Sequence, residues 1–347
     1  MNISKTGIIC LAASLCGVAN ADNLDSITES VLADSSTRFS LSGEEHLSLN
    51  LGGFIQTGWS YGSGAGLDSE YGFSVDRARI ILSGDLGKDA SYLLSGQWSD
   101  VTSSFDLLDA RVDFRAFDVA DVRVGQFVPA FYSGFVTDPR SLITNNYSVS
   151  ALTFGQGRGQ GVELSDFFVA ENVKFSGFYT NGFNDTDGVG TDNGYAIGAR
   201  ASIDLGGGLA VGGGYAYNSN DVTDYSSYTV DLDYTSGKFD FNAAWISNDE
   251  SGSWSDYSVV GTVAYQCADD LQGFVQYEYG NLDGAASKLN IATVGCNYDI
   301  HEGIVWTNTF GYAFEGIDAG FDTDNTGWRT STDSGEYVIR SVIQVSF

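Results

Sequence analysis

From about residue 47 onward, apolar and polar side chains alternate one by one in short runs. Tyr228, Val230, Leu232 and Tyr234 alternate with Thr229, Asp231, Asp233 and Thr235. Leu271, Val275, Tyr277 and Tyr279 alternate with Gln272, Gln276 and Glu278, and Leu108, Ala110, Val112 and Phe114 with Asp109, Arg111, Asp113 and Arg115. The chain ends the same way, with Tyr337, Ile339, Ile343, Val345 and Phe347 set against Glu336, Arg340, Gln344 and Ser346. A period of two is that of a strand with one apolar face. The runs are about 10 residues long with aromatic side chains at their ends, the pattern of strands in a transmembrane barrel. Sixteen strands are expected, over 47–61, 73–86, 90–98, 105–117, 119–126, 159–166, 169–180, 194–203, 209–218, 226–236, 239–248, 254–266, 271–279, 286–298, 304–314 and 336–347. A shift of about 2–4 residues at the boundaries leaves 14 or 18 strands open.

The connections carry a second pattern. Gaps after even-numbered strands are tight, as at 87–89, 118, 167–168 and 237–238. Gaps after odd-numbered strands are mostly longer, at 62–72, 99–104, 127–158, 181–193, 219–225, 249–253, 280–285 and 315–335. Short turns on one rim and long loops on the other, with an even number of strands, fit an antiparallel barrel in an outer membrane. Closure removes sheet edges and satisfies every backbone group within lipid. A barrel of this size leaves an aqueous interior, whereas about eight strands would fill their own. The third long connection, 127–158, carries Phe131, Tyr132, Phe135, Tyr147 and Phe154 together with Pro129 and Pro139. A loop of that length is functional or disordered, and its apolar content argues for order. The expected fold is therefore all-β, a 16-stranded antiparallel transmembrane β-barrel with a long third loop folded into the lumen.

Composition agrees. Proline occurs only twice, while glycine and aromatic residues are abundant, as strands require. Residues 1–21 read as a signal peptide: Lys5 in the n-region, an apolar stretch over 7–19, and Ala19-Asn20-Ala21 as the cleavage pattern. A stretch of about 13 residues is too short to span a bilayer as a helix. Removing residues 1–21 takes away Lys5 and no acid, so the formal charge of −29 becomes −30. That acidity argues against nucleic acid as a partner. Residues 22–46 form an N-terminal periplasmic leader, either a short helix on Leu24, Ile27 and Val31 or a flexible segment. Residues 47–347 form the barrel.

Several motifs follow one another along the first half of the barrel. One is the run from Val75 to Asp89, VDRARIILSGDLGKD; another is DARVDFR at 109–115, followed by VRVGQFVP at 122–129. GRGQGV at 157–162 and Phe178-Tyr179 with Asn181-Gly182 continue the series. Over about residues 73–203 the chain resembles the phosphate-selective porin O/P family. The resemblance implies a Gram-negative outer-membrane porin: a homotrimer of barrels, each a water-filled channel for passive diffusion of small hydrophilic solutes and ions, with anion or phosphate preference. The terminal Phe347 is similar to the signal read by the barrel-assembly machinery. A surface adhesin or structural barrel without conductance is the alternative.

Eight of the 16 basic residues fall between Arg77 and Arg158. Arg77 and Arg79 share a strand face, as do Arg111 and Arg115; Arg123 leads into the long loop, and Arg140 and Arg158 lie in it or at its end. A charge on the lipid face near midplane costs about 2–4 kcal/mol, so these residues are expected to face water, with Asp109 and Asp113 beside them. Two roles are open: an anion-attracting constriction, since arginine offers a planar fork to phosphate or carboxylate, or bracing of the wall and loop. The long loops are acidic, which enriches cations at the mouth. Only His46 and His301 are present, and no Ser–His pair suggests an enzyme. No metal site or cofactor is implied. Cys267 and Cys296 lie about two strands apart; whether they pair is left open.

Overall fold

The computed structural model describes residues 37–39, 48–99, 104–117, 120–155, 157–183, 194–219, 224–250 and 253–347. The expected signal peptide, and most of the leader with its helix at 24–31, lie outside the described residues. The strands are β1 (Thr37–Phe39), β2 (Leu49–Gly64), β3 (Leu67–Asp85), β4 (Ala90–Ser99), β5 (Ser104–Phe117), β6 (Ala120–Phe127), β7 (Gly159–Ala170), β8 (Val173–Thr180) and β9 (Tyr195–Gly206). They continue with β10 (Leu209–Ser219), β11 (Asp224–Ser236), β12 (Phe239–Glu250), β13 (Ser253–Ala268), β14 (Leu271–Asn281), β15 (Leu289–His301), β16 (Ile304–Ala313) and β17 (Tyr337–Ser346). Two short helices, α1 (Ser133–Val136) and α2 (Val149–Phe154), lie between β6 and β7.

Strands β2 to β17 each pair antiparallel with their sequence neighbours, and β17 pairs with β2 from Tyr337↔Ser63 to Ser346↔Phe54. The sheet is thus a closed 16-stranded antiparallel barrel. Past the end of β17, Phe347 exchanges backbone hydrogen bonds with Gly53 at 2.9 and 3.1 Å. Beyond that point β1 pairs with Leu49–Leu51 of β2 and extends the seam. β1 falls inside the region expected to be leader, and the alternation there is too short to reveal it.

The period-two pattern maps onto the two faces. Val230 of β11 is exposed while Thr229 and Asp231 are buried; Val275 and Tyr277 of β14 are exposed while Gln276 and Glu278 are buried. Large apolar side chains standing free on a closed sheet are what a lipid-facing wall requires. The buried apolar cluster lies elsewhere. Phe131, Tyr132, Val149 and Phe154 of the β6–β7 connection pack with Ile246, Leu289 and Ile291 of the wall and with Ile317, Phe321 and Trp328 of the β16–β17 connection.

Two expected connections differ. The loop expected over 62–72 is a hairpin extension: β2 and β3 run on to a turn at Ala65-Gly66, both residues having positive φ, 53° and 69°. That backbone sign suits the twist of a tight hairpin, and alternation through Tyr71 and Phe73 sustains the strand. The turn expected at Phe167-Phe168 lies at Glu171-Asn172 instead; the aromatics pair with Lys174 and Phe175 of β8 across an irregular ladder, and the polar residues make the turn. Cys267 and Cys296 are both free thiols, with β14 running between their strands.

Gly125 of β6 has a φ of 128°. A Cβ there would sit 2.2 Å from the Ala110 carbonyl oxygen of β5. Gly125→Ala is expected to cost about 1–3 kcal/mol in strain. It should lower the temperature at which the compact, fast-migrating form converts to the unfolded form on a gel. An unchanged transition would contradict this assignment.

Candidate functional site

The β6–β7 connection is bound to residues spread around the ring. At its start the Ala130 amide donates to Glu163 of β7 at 2.6 Å, and the Phe131 carbonyl accepts from Arg200 of β9 at 3.2 Å. In its middle the Ile143 carbonyl accepts from Asn297 of β15 at 2.7 Å, and both oxygens of Asn145 accept from Gln56 of β2 at 3.0 and 2.8 Å. At α2 the Ser150 amide and hydroxyl donate to Glu278 of β14 at 2.9 and 2.8 Å. At its end Arg158 meets Asp109 of β5 at 3.2 Å. Local sequence shapes the segment. Ser148 caps α2 by accepting from Ala151, and Asp138 caps a single 3₁₀ turn (Pro139–Ser141) with Pro139 at its first position. The β16–β17 connection also touches it, since Asn146 donates to the Asn325 carbonyl and Thr153 accepts from the Asp322 amide at 2.9 Å.

The seven arginines named from the sequence divide into three settings. In the first, Arg123 of β6 bonds Asp113 at 2.6 Å and Glu163 at 2.9 Å, and Arg111 lies 3.2 Å from Asp113. Two guanidiniums and two carboxylates neutralise one another directly beneath Ala130. In the second, Arg115 is more than half exposed at the turn-side rim, 4.0 Å from Asp85 and donating to the Lys88 carbonyl. It shares a face with Arg111 but stands four residues further along the strand, about 13 Å away at 3.3 Å per residue. The shared face therefore does not bring Arg115 together with Arg111 and Arg123.

The third setting holds Arg77, Arg79, Arg140 and Arg158. Arg79 donates twice to the Gln97 amide oxygen, at 3.1 and 2.8 Å, and Arg77 donates to the Gln56 amide oxygen at 3.0 Å. Neither of these two guanidiniums bonds a carboxylate among the described residues. Arg79 and Arg140 both lie against the Phe54 ring, 5.1 and 5.8 Å from its centroid, and Arg77 lies 5.5 Å from that of Tyr147. Arg158, Asp109 and Asp138 are within electrostatic reach of Arg79. Arg140 bonds Asp138 at 3.0 Å. Burial pushes the Asp138 carboxyl up, but the Arg140 hydrogen bonds and charge outweigh it and hold the group below its ordinary value. Burial likewise raises the Tyr147 hydroxyl, against the pull of Arg79 and Arg77. Four cations face two anions here, and the site carries net positive charge. Guanidinium forks in such a partly desolvated setting are chemically suited to attracting anions.

A model of the Gram-negative porins matches residues 7–316. The chain belongs to the Gram-negative porin family. Among solved structures, the anion-selective porin from Comamonas acidovorans is 16% identical and superposes with a TM-score of 0.66 over 87% of this chain and 100% of its own. Salmonella typhi OmpF, in a complex with daunomycin, is 15% identical with a TM-score of 0.67 over 90% and 100%. The trimer form of Vibrio cholerae OmpT is 12% identical with a TM-score of 0.61 over 87% and 100%. These likenesses show the fold. No curated protein matches the sequence. The porin barrel is an outer-membrane channel architecture, and the family match is to Gram-negative porins as a whole.

Sequence reasoning missed the amides Gln56 and Gln97, the buried acids Glu163 and Glu278, and the pairs Arg200–Asp231 at 2.5 Å and Arg340–Asp76 at 2.6 Å. The acids and the other arginines lie on the polar face of alternating strands, a usable signal. The amides carry no charge to draw the eye. Removing one member of a buried charge network costs about 3–5 kcal/mol, whereas an exposed pair contributes under about 1 kcal/mol. Glu163→Gln is therefore expected to destabilise the folded barrel strongly in detergent, and Arg115→Ala hardly at all. Equal stability losses in urea titrations would contradict this division.

Proposed function

We propose that this porin is a passive channel in the cell outer membrane, with residues 127–158 folded into the lumen as its constriction. The observation that carries the reading is the spread of that segment's anchors. A single stretch of chain bonded to β2, β5, β7, β9, β14 and β15 supports a path across the space the ring encloses. Small hydrophilic solutes and ions then pass beside it, screened by size and by local field. The role requires no cofactor, energy source or reaction.

The finer reading is a preference for anions, phosphate among them, at Arg79, Arg140 and Arg158, with Arg77 behind them. It is supported by two guanidiniums ending on amides rather than carboxylates. Arg111, Arg123, Asp109 and Asp113 set the adjoining wall, and Arg115 lies apart from it. Acidic side chains at the mouth, such as Asp68, Asp318, Asp322 and Asp324, oppose the preference at low salt.

The remaining expectations fit this reading. Residues 1–21 would direct export, residues 22–46 would remain on the periplasmic side with both chain ends, and Phe347 would engage the barrel-assembly machinery. A homotrimer in outer-membrane lipid would place part of the apolar wall between copies.

Reversal potentials across a planar bilayer under a potassium chloride gradient test the selectivity. Replacing Arg79 and Arg140 together by Gln is expected to lower the chloride-to-potassium permeability ratio several-fold. An unchanged ratio would remove the arginines from selectivity.

A further inference from the structure

Gln56 of β2 is 1% exposed and uses both ends of its amide. Its oxygen accepts from Arg77 at 3.0 Å. Its nitrogen donates to the Asn145 carbonyl at 3.0 Å, the Asn145 side-chain oxygen at 2.8 Å and the Gln344 side-chain oxygen at 2.9 Å. An amide nitrogen has two hydrogens, so the two Asn145 oxygens share one. Asn145 adopts a left-handed backbone, φ 55°, a conformation asparagine tolerates better than most residues. Both of its oxygens converge on the one donor.

The donor's surroundings come from opposite ends of the barrel sequence. Gln56 and Gln344 are register partners in the ladder between β2 and β17, the seam where the first and last barrel strands meet. Arg340 of β17 reaches past β2 to Asp76 of β3 at 2.6 Å. A register slip of one residue would turn Gln344 to the other face and leave the Gln56 amide without the acceptor that orients it. The tip of the 127–158 segment therefore rests on an amide that is aimed only when the seam is closed in register.

We propose that Gln56 is a positioning residue that latches the constriction to the barrel seam, so that closure of the barrel sets the pore. The proposal rests on the reading of residues 127–158 as the constriction. Gln56 acts through Asn145. On one side of that residue Tyr147 covers Arg77, and on the other lie Arg140 and Asp138. The neighbouring wall anchors are Ile143 on Asn297 and Ser150 on Glu278, and Asn146 is held by the Asn325 carbonyl of the β16–β17 connection. Releasing Asn145 loosens the stretch between them and moves the charged turn beside Phe54.

Gln56→Glu separates latch from scaffold. The carboxylate keeps the size, still accepts from Arg77 with full charge, and accepts from Gln344 once that amide rotates. It cannot donate to Asn145. The folded form is expected to resist heat as well as wild type or better, while single-channel records in planar bilayers gain frequent brief closures and several-fold greater open-state noise. Asn145→Gly keeps the backbone conformation and the carbonyl but drops the side-chain acceptor, and should give a smaller increase. Quiet, wild-type traces from Gln56→Glu would overturn the latch while leaving the channel reading intact. Noise that appears only together with lost heat resistance would make Gln56 merely structural, and overturn it as well. A wild type that passes no current would sink the channel reading and the latch together.

Discussion

Inside a hydrocarbon layer, no backbone amide or carbonyl can turn to water for a partner. That constraint organises the molecule. Each strand from β2 to β17 satisfies both of its edges with its neighbours, and the ring closes where β17 meets β2. Once the sheet is closed, its two faces see different solvents. The alternation of apolar and polar residues, chemically unremarkable in any one strand, becomes an oily outer wall and a polar interior. Even the last residue joins the ladder, through the exchanged bonds of Phe347 and Gly53.

A polar interior has to satisfy itself wherever water is excluded. Most of the interior charge does so by pairing: Arg123 with Asp113 and Glu163, Arg200 with Asp231, Arg340 with Asp76. These pairs brace neighbouring strands against one another. Where the partner is an amide rather than an acid, the bracing remains but the charge is not cancelled. Gln56 and Gln97 make that difference at Arg77 and Arg79. The segment 127–158 brings Arg140 to the same place, so the positive region is a product of what the wall leaves unneutralised.

All sixteen barrel strands were legible in the sequence, because period-two alternation and the unequal rims both follow from a one-sided wall. The hairpin at Ala65-Gly66 was not, since glycines and serines between 62 and 70 look like loop, and only the folded backbone shows the positive φ of Gly64, Ala65 and Gly66. The arginines were legible as a group, but their division was not. That division depends on cross-strand register, as in Asp113↔Arg123, and on irregularities such as the one between Gln56 and Thr57, beside which Asp76 turns inward to Arg340. Shared faces could be counted along a strand; distances along it separated Arg115 from its companions. The anchors of the long loop come from residues up to 179 positions away, and only the folded ring brings them together.

The central claim is that one sheet separates lipid from an enclosed aqueous space, residue by residue. Thr293 and Val294 of β15 are adjacent, Val294 half-exposed on the apolar face and Thr293 on the polar one. With Cys267 and Cys296 replaced by Ser, single cysteines at these two positions can be offered a charged, membrane-impermeant thiol reagent in reconstituted bilayers. The account predicts labelling at position 293 and protection at 294. Labelling at 294 with protection at 293, or equal labelling at both, would contradict it.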